Sequence, residues 1–176
     1  MKLQEQIKAS GYVRIYSKSG PEARPVLVHS GRNLLVNNFY LNIPKLLAGQ
    51  VGNMIGNNSR TVQDGSANWV TYMSVGTGTT APALIDQSLQ TPVLNSGSPI
   101  VMPISTVSFS TPFTGSVTFN AVLPGGSDSS PYNGVNLSEV GLFAETGTMY
   151  ARYVYTPIIK TSVFQLNYEW TITFAP

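Results

Sequence analysis

Residues 164–174 read Phe-Gln-Leu-Asn-Tyr-Glu-Trp-Thr-Ile-Thr-Phe, and this stretch decides the fold class. Every second residue is apolar, and four of these six apolar residues are aromatic. Because successive side chains of a β-strand point to opposite faces, the alternation predicts a strand with one buried face and one face open to water or to a partner. Such a strand indicates an antiparallel β framework with an aromatic core.

Further strand patterns precede this one, separated by turns that are rich in Gly, Pro, Asn and Ser. The predicted strands cover residues 12–16, 26–29, 69–75, 106–109, 116–123, 140–144 and 149–155. Many short strands with frequent turns are typical of a β-sandwich. We therefore expect an all-β fold, a jelly-roll-like antiparallel β-sandwich, with residues 1–10 as an N-terminal arm and residues 11–176 as a single domain.

One segment breaks the β pattern and predicts a short accessory helix. Its apolar residues recur at helical spacing, and they are Leu35, Phe39, Ile43 and Leu46 or Leu47. Pro44 should split this helix, and Gly49 should end it.

The composition points to assembly more than to catalysis. Charged residues make up 10% of the chain, against about 25% in a typical soluble protein. A neutral surface rich in Ser, Thr, Asn and Gln suits a protein that packs against copies of itself or against partners. An extracellular β-protein with a Thr-rich surface remains open on composition alone.

Several classes of partner and location are disfavoured. The net charge of +2, with no basic run interleaved with aromatic residues, argues against a nucleic-acid partner. No apolar run approaches the roughly 20 residues of a membrane span, and the first residues lack the apolar stretch of a signal peptide. We expect a protein that is made in a cytoplasm and not exported, without a membrane partner. The absence of cysteine excludes disulfides and thiolate metal sites.

No catalytic constellation stands out. Residues 76–81 match a dinucleotide-binding glycine pattern, but Pro82 follows where that pattern needs a helix. His29 is the only histidine, and a lone histidine is more often a structural hydrogen bonder than a base. Glu139, Glu145 and Glu169 qualify as glycosidase carboxylates only by elimination. We expect no enzymatic activity, no cofactor and no metal.

Three segments, in this order, resemble the small modules related to bacteriophage tail-collar fibre proteins. Residues 73–82 read Met-Ser-Val-Gly-Thr-Gly-Thr-Thr-Ala-Pro and are followed by Asp-Gln-Ser-Leu at 86–89. Residues 137–143 read Leu-Ser-Glu-Val-Gly-Leu-Phe. Residues 147–152 read Gly-Thr-Met-Tyr-Ala-Arg, with Pro-Ile-Ile-Lys-Thr at 157–161. Asn-Leu-Leu-Val-Asn at 33–37 adds to the resemblance, which covers most of the chain.

The resemblance implies a structural protein of the virion, assembled in the cytoplasm of the bacterial host and often trimeric. Fibre proteins continue into a shaft, whereas this sequence ends at Pro176. We therefore expect a capsid cement or decoration protein that binds the major capsid protein. A collar, neck or baseplate adaptor bound to tail or neck proteins is the first alternative. A carbohydrate-binding receptor module that uses Tyr132 and Trp69 is the second.

The expected contacts lie in the arm and in two polar loops, at residues 49–68 and 124–134. The candidate interface residues are Lys2, Ile7, Lys8, Asn57, Asn58, Arg60, Tyr132, Asn133 and Lys160. Lys160 could be a surface charge or an inter-subunit contact. Glu139 and Arg152 fall on adjacent predicted strands and could form a cross-strand pair, which would be worth under about 1 kcal/mol if it is exposed. Gly141 should allow close approach of a backbone or an aromatic ring.

Overall fold

The computed structural model describes residues 8–41, 69–109, 115–126 and 129–175. Within these residues the chain forms ten strands, and a short helix covers residues 37–41. The strands are β1 (Lys8–Lys18), β2 (Val26–Leu35), β3 (Val70–Gly76), β4 (Leu94–Asn95), β5 (Ser98–Pro99), β6 (Met102–Phe109), β7 (Ser116–Leu123), β8 (Asn136–Ala144), β9 (Met149–Ile159) and β10 (Gln165–Ala175). β1 therefore begins at Lys8, three residues before the domain boundary that the sequence suggests.

Eight of these strands form a closed antiparallel barrel in the order β1-β10-β7-β6-β3-β8-β9-β2, and β4 and β5 form a small separate hairpin. The expected jelly-roll sandwich is therefore wrong, although the all-β class is confirmed. A sandwich and a barrel place the same alternating residues inside, so the pattern within each strand does not distinguish them.

A short helix is present and contains Phe39, but Leu35 belongs to β2. The other residues of the predicted helix and its end lie outside the described residues, namely Ile43, Pro44, Leu46, Leu47 and Gly49.

Two short seams close the barrel, and both lie in stretches that the sequence marks as breaks. β2 pairs with β9 through Leu34 and Leu35, beyond the predicted end of that strand at His29. β6 pairs with β3 through Met102 and Pro103, before the predicted start at Thr106. Ser-Gly-Arg-Asn at 30–33 and Pro103 look like strand breakers, yet the strands run through them. These extensions turn two sheets into one closed barrel.

The interior of the barrel is filled by side chains, as expected for eight strands. β10 supplies the centre, where Leu166, Tyr168, Trp170 and Ile172 are completely or almost completely buried. The predicted inward face of this strand is therefore confirmed. The hydroxyl groups of Tyr155 and Tyr168 lie 3.3 Å apart inside the core, and burial raises the pKa of both side chains.

Candidate functional site

A segment outside the barrel covers part of strands β8 and β9. This segment, residues 77–92, is called the strap below. It leaves β3 at Gly76 and returns beside it, since Thr77 donates its N–H to the carbonyl of Thr91 and Pro92 forms a bridge with Gly76. On β8, Val140 and Leu142 belong to the barrel core, so the alternation turns Glu139, Gly141 and Phe143 to the outside. The strap covers Gly141 and buries the side chains of Glu139 and Phe143.

A buried carboxylate joins the strap to the barrel. The side chain of Glu139 is completely buried, and its two oxygens accept four hydrogen bonds. Oε1 accepts the backbone N–H groups of Gly78 and Thr91 at 3.0 and 2.7 Å. Oε2 accepts the backbone N–H of Gln90 at 3.0 Å and the Nε–H of Arg152 at 2.8 Å. Three of the four donors are strap amides, so one carboxylate fixes both ends of the strap.

Arg152 extends this bond network to a second acid. Its guanidinium is almost fully buried, and Nη1 donates to Oδ2 of Asp86 at 3.0 Å. The same oxygen accepts the backbone N–H of Ala83 at 2.9 Å. Glu139, Arg152 and Asp86, called the ion triad below, therefore connect β8, β9 and the middle of the strap. The pair of Glu139 and Arg152 exists as the sequence suggests, but it is buried rather than exposed.

Glycines make room for this arrangement. A methyl group at Gly78 would lie 2.6 Å from Glu139 Oε1 and 2.6 Å from Gln90 Cβ, which is too close for real atoms. A methyl group at Gly76 would collide with Glu139 and with the carbonyl of Thr91. A methyl group at Gly141 would lie 2.6 Å from the ring of Phe143, so the expected close approach of an aromatic ring is confirmed. The glycines of the pattern at 76–81 therefore leave the space that the carboxylate of Glu139 occupies in this fold.

A small second core lies beneath the strap. Leu89 packs with Val36, Phe143 and Met149, and the ring of Tyr72 stacks on that of Phe143 with centroids 5.1 Å apart. The strap is thus held by apolar contacts as well as by the ion triad. Both kinds of contact restrict its motion relative to the barrel.

The strap presents two aliphatic side chains to solvent at its turn. Leu84 is 51% exposed and Ile85 is 78% exposed; together they are called the knuckle below. Asp86 closes the turn through the N–H of Ala83, and the carbonyl of Leu84 accepts the N–H of Asn37. The knuckle is therefore a fixed apolar projection. The sequence analysis did not select the knuckle as an interface, although two adjacent aliphatic residues in a polar loop beside Asp86 could have indicated one.

A second surface feature is a polar face on the outside of β6, β7, β10 and β1. Its side chains hydrogen-bond in pairs across neighbouring strands. The pairs are Ser116 with Thr173, Thr118 with Thr171 and Asn120 with Thr106, each at 2.9 Å. The ion pair of Arg14 and Glu169 lies on the same face. Because these groups already bond to one another, covering them removes fewer hydrogen bonds to water.

Three of the predicted interface residues come together, but not as an exposed surface. Lys160 is completely buried, and its ammonium donates to the carbonyls of Thr161 and Gly125 and to Oδ1 of Asn133 at 2.5, 3.2 and 3.4 Å. The rings of Tyr132 and Phe164 lie 5.3 and 5.0 Å from Nζ. Burial lowers the pKa of Lys160 to about 8. Lys160 thus joins two loops inside the protein and is not a surface charge.

The other predicted interface residues are either at the edge of the structure or outside it. Lys8 begins β1 and is exposed. Lys2, Ile7, Asn57, Asn58 and Arg60 lie outside the described residues, as does the whole of the predicted loop at 49–68.

The carboxylates considered for glycoside hydrolysis serve separate local contacts. Glu139 belongs to the ion triad, Glu169 pairs with Arg14, and Glu145 lies in an exposed turn. Within the described parts of the chain, no group of three or more His, Cys, Asp or Glu side chains is arranged to hold a metal ion. In the same residues, no helix has the length and apolar character needed to cross a membrane.

Comparisons of this chain with protein-family models, with curated proteins and with solved structures gave no match.

Proposed function

We propose that this chain is a non-enzymatic structural protein of a bacteriophage virion that docks on the outside of the particle, in the first instance as a capsid cement or decoration protein. The observation that carries the proposal is the convergence of the three resembling segments. Gly78, Asp86, Glu139 and Arg152 come from all three of them, and they meet in one buried bond network. Residues from all three segments hold the strap against the barrel, and the knuckle lies on the strap.

The knuckle has the properties of a docking element. Full burial of an aliphatic side chain is worth about 1.5–3 kcal/mol, and Leu84 and Ile85 offer two of them. Because the ion triad and Leu89 already fix the strap, little further ordering is needed when a partner covers it. Repetition of such a contact over a shell lattice multiplies a modest affinity into firm attachment.

The polar face supports decoration rather than attachment at a single site. Cementing a shell requires contacts with more than one neighbour, and this face provides a second surface in addition to the knuckle. Lys8 and Lys18 lie at the two ends of β1 on this face, and between them Arg14 and Glu169 balance each other, so covering the middle of the face leaves no net charge buried. We retain a homotrimer as the proposed assembly, with the major capsid protein as the main partner.

A matched pair of leucine variants tests the proposal. Leu84→Glu places a charge on the knuckle, and Leu94→Glu places the same charge on β4, where the leucine is similarly exposed at 48%. Each variant is mixed with phage particles that lack the protein, and the bound fraction is measured by co-sedimentation.

We expect wild type and Leu94→Glu to sediment with the particles and Leu84→Glu to stay in solution while its circular dichroism and melting temperature are preserved. Equal binding of all three proteins would remove the knuckle from the proposal. Absence of binding by the wild type would contradict the proposed function itself.

A further inference from the structure

The seam between β2 and β9 opens along most of its length. The two strands pair only at Leu34–Arg152 and Leu35–Ala151. Towards Val26 on β2 and Ile159 on β9 no further residue pair joins the two strands, and within the described parts of the chain residues 26–33 pair with β1 alone. Among the described residues, β2 therefore has an unpaired edge over about eight residues, at which a further strand could pair.

Aromatic rings form the floor of this opening. The rings of Tyr153 and Tyr155 stack at 5.9 Å, and His29 lies 5.4 Å from Tyr155. Gly31 allows β2 to rest directly on Tyr153, since a methyl group there would lie 2.5 Å from the Tyr153 hydroxyl. Tyr155 is buried, whereas Tyr153 and His29 are half-buried, so their rings provide the aromatic surface on which side chains of an added strand could pack.

The rim of the opening is apolar and exposed. Val26 and Leu27 are 63% and 50% exposed, and Ile159 on the opposite strand is 61% exposed. Val28 is also exposed and lies at an irregularity in the pairing of β2 with β1. Exposed apolar side chains beside an unpaired edge are typical of a surface that another chain covers.

The edge of β9 is better protected against pairing than the edge of β2. Both strands carry an irregularity in their existing pairing, but β9 also contains Pro157, which has no N–H to donate. On β2, residues 26–31 read Val-Leu-Val-His-Ser-Gly, with no proline, lysine or acid. A further strand would therefore pair with β2.

We propose that the free edge of β2 binds an extended segment of a partner protein by strand addition, and that this segment is uncharged in its centre and acidic at both ends. Backbone hydrogen bonds to β2 would provide the affinity, and alternate side chains on the aromatic floor would provide selectivity. The acidic ends follow from Arg24 and Arg32, which are exposed at the two ends of the uncharged stretch. Lys18 adds to this positive charge, and Glu22 is the one nearby acid in the turn between β1 and β2.

The same charges disfavour a second copy of this chain as the occupant. An antiparallel β2 from a second copy, centred on Val28, would place Arg24 of one chain beside Arg32 of the other. Like charges at such positions oppose pairing. Strand addition at β2 does not depend on where the protein is located in the cell or on a particle.

Hydrogen exchange with a synthetic strand tests the inference. The probe is the capped peptide Asp-Ser-Val-Thr-Val-Thr-Val-Ser-Asp. One control carries N-methyl groups on its valines, which blocks backbone donation, and a second control has lysine in place of both aspartates. Exchange of the amides of residues 26–33 is measured in the full chain as the concentration of each peptide is raised.

We expect the acidic peptide to slow exchange in β2, the N-methylated peptide to have no effect, and the lysine peptide to bind about fivefold more weakly because it loses two exposed charge pairs. In the Arg24→Glu/Arg32→Glu variant the preference should reverse in favour of the lysine peptide. Both arginines are exposed, so this variant should keep its fold. Unchanged exchange with the acidic peptide at millimolar concentration, or equal binding of the N-methylated peptide, would overturn the inference.

Discussion

Replacement of Glu139 by glutamine isolates the contribution of the ion triad with almost no change of volume. The carboxylate accepts four hydrogen bonds, two on each oxygen. An amide has one oxygen, so its NH₂ group must face two N–H donors in either orientation. Two charge-assisted hydrogen bonds are lost, and the guanidinium of Arg152 keeps only Asp86 as its counter-ion.

The expected loss of stability is large for a single substitution. Hydrogen bonds to charged groups contribute about 1.5–3 kcal/mol each, and breaking a buried ion pair from one side costs about 3–5 kcal/mol. We expect Glu139→Gln to lower the free energy of unfolding by about 3–5 kcal/mol. For a chain of this size this corresponds to a fall in melting temperature of roughly 10 °C.

Glu169→Gln is the matched control, because it makes the same substitution in a solvent-exposed pair. Arg14 and Glu169 are 46% and 28% exposed in their side chains, so this pair is worth about 0–1 kcal/mol. Urea unfolding followed by tryptophan fluorescence, with the urea dependence compared between variants, gives both values. If Glu139→Gln costs no more than Glu169→Gln, the cluster is not a buried anchor and the account of the strap is wrong.

Two further substitutions test the surroundings of the strap and the loops. Gly78→Ala should lower the free energy of unfolding by about 1–3 kcal/mol, because the added methyl group collides with Glu139 and Gln90. Thermal denaturation measures this loss, and a variant as stable as the wild type would contradict the predicted collision. Lys160 has a pKa of about 8 in the native protein and 10.5 as its ordinary value, so the unfolded chain holds the proton more tightly between these values. The free energy of unfolding should therefore rise by about 2 kcal/mol from pH 7 to pH 9.5, relative to that of a Lys160→Met variant. Urea unfolding of both proteins across this pH range measures the difference, and parallel pH profiles would contradict the burial of the ammonium.

The eight strands of the barrel could be predicted because each carries its own signal, whereas the short strands β4 and β5 were not predicted. The alternation in residues 164–174 identifies β10 and its inward face, and Leu166, Trp170 and Ile172 are buried as expected. The closure of the barrel could not be predicted in the same way. It depends on two residue pairs at each seam, and one of the residues that make them is Pro103, which by local preference interrupts a strand.

The candidate site was only partly visible in the sequence, for a similar reason. The pairing of Glu139 with Arg152 could be expected from the hairpin, but its burial depends on the strap, which comes from a distant part of the chain. Local patterns carry no information about such a cover. Lys160 illustrates the same limit. Its ammonium contacts Gly125, Asn133 and Phe164, and the first two are far from the lysine in sequence.

Electron microscopy of phage particles labelled with gold-conjugated antibodies against this chain tests the proposed function most directly. We predict label distributed over the outside of the heads, in many copies per particle. Label confined to the neck or the tail tip would contradict a capsid decoration and favour an adaptor that anchors a fibre. Particles that carry no label, with a known surface protein labelled as a control, would contradict the proposal that this chain is an exposed component of the virion.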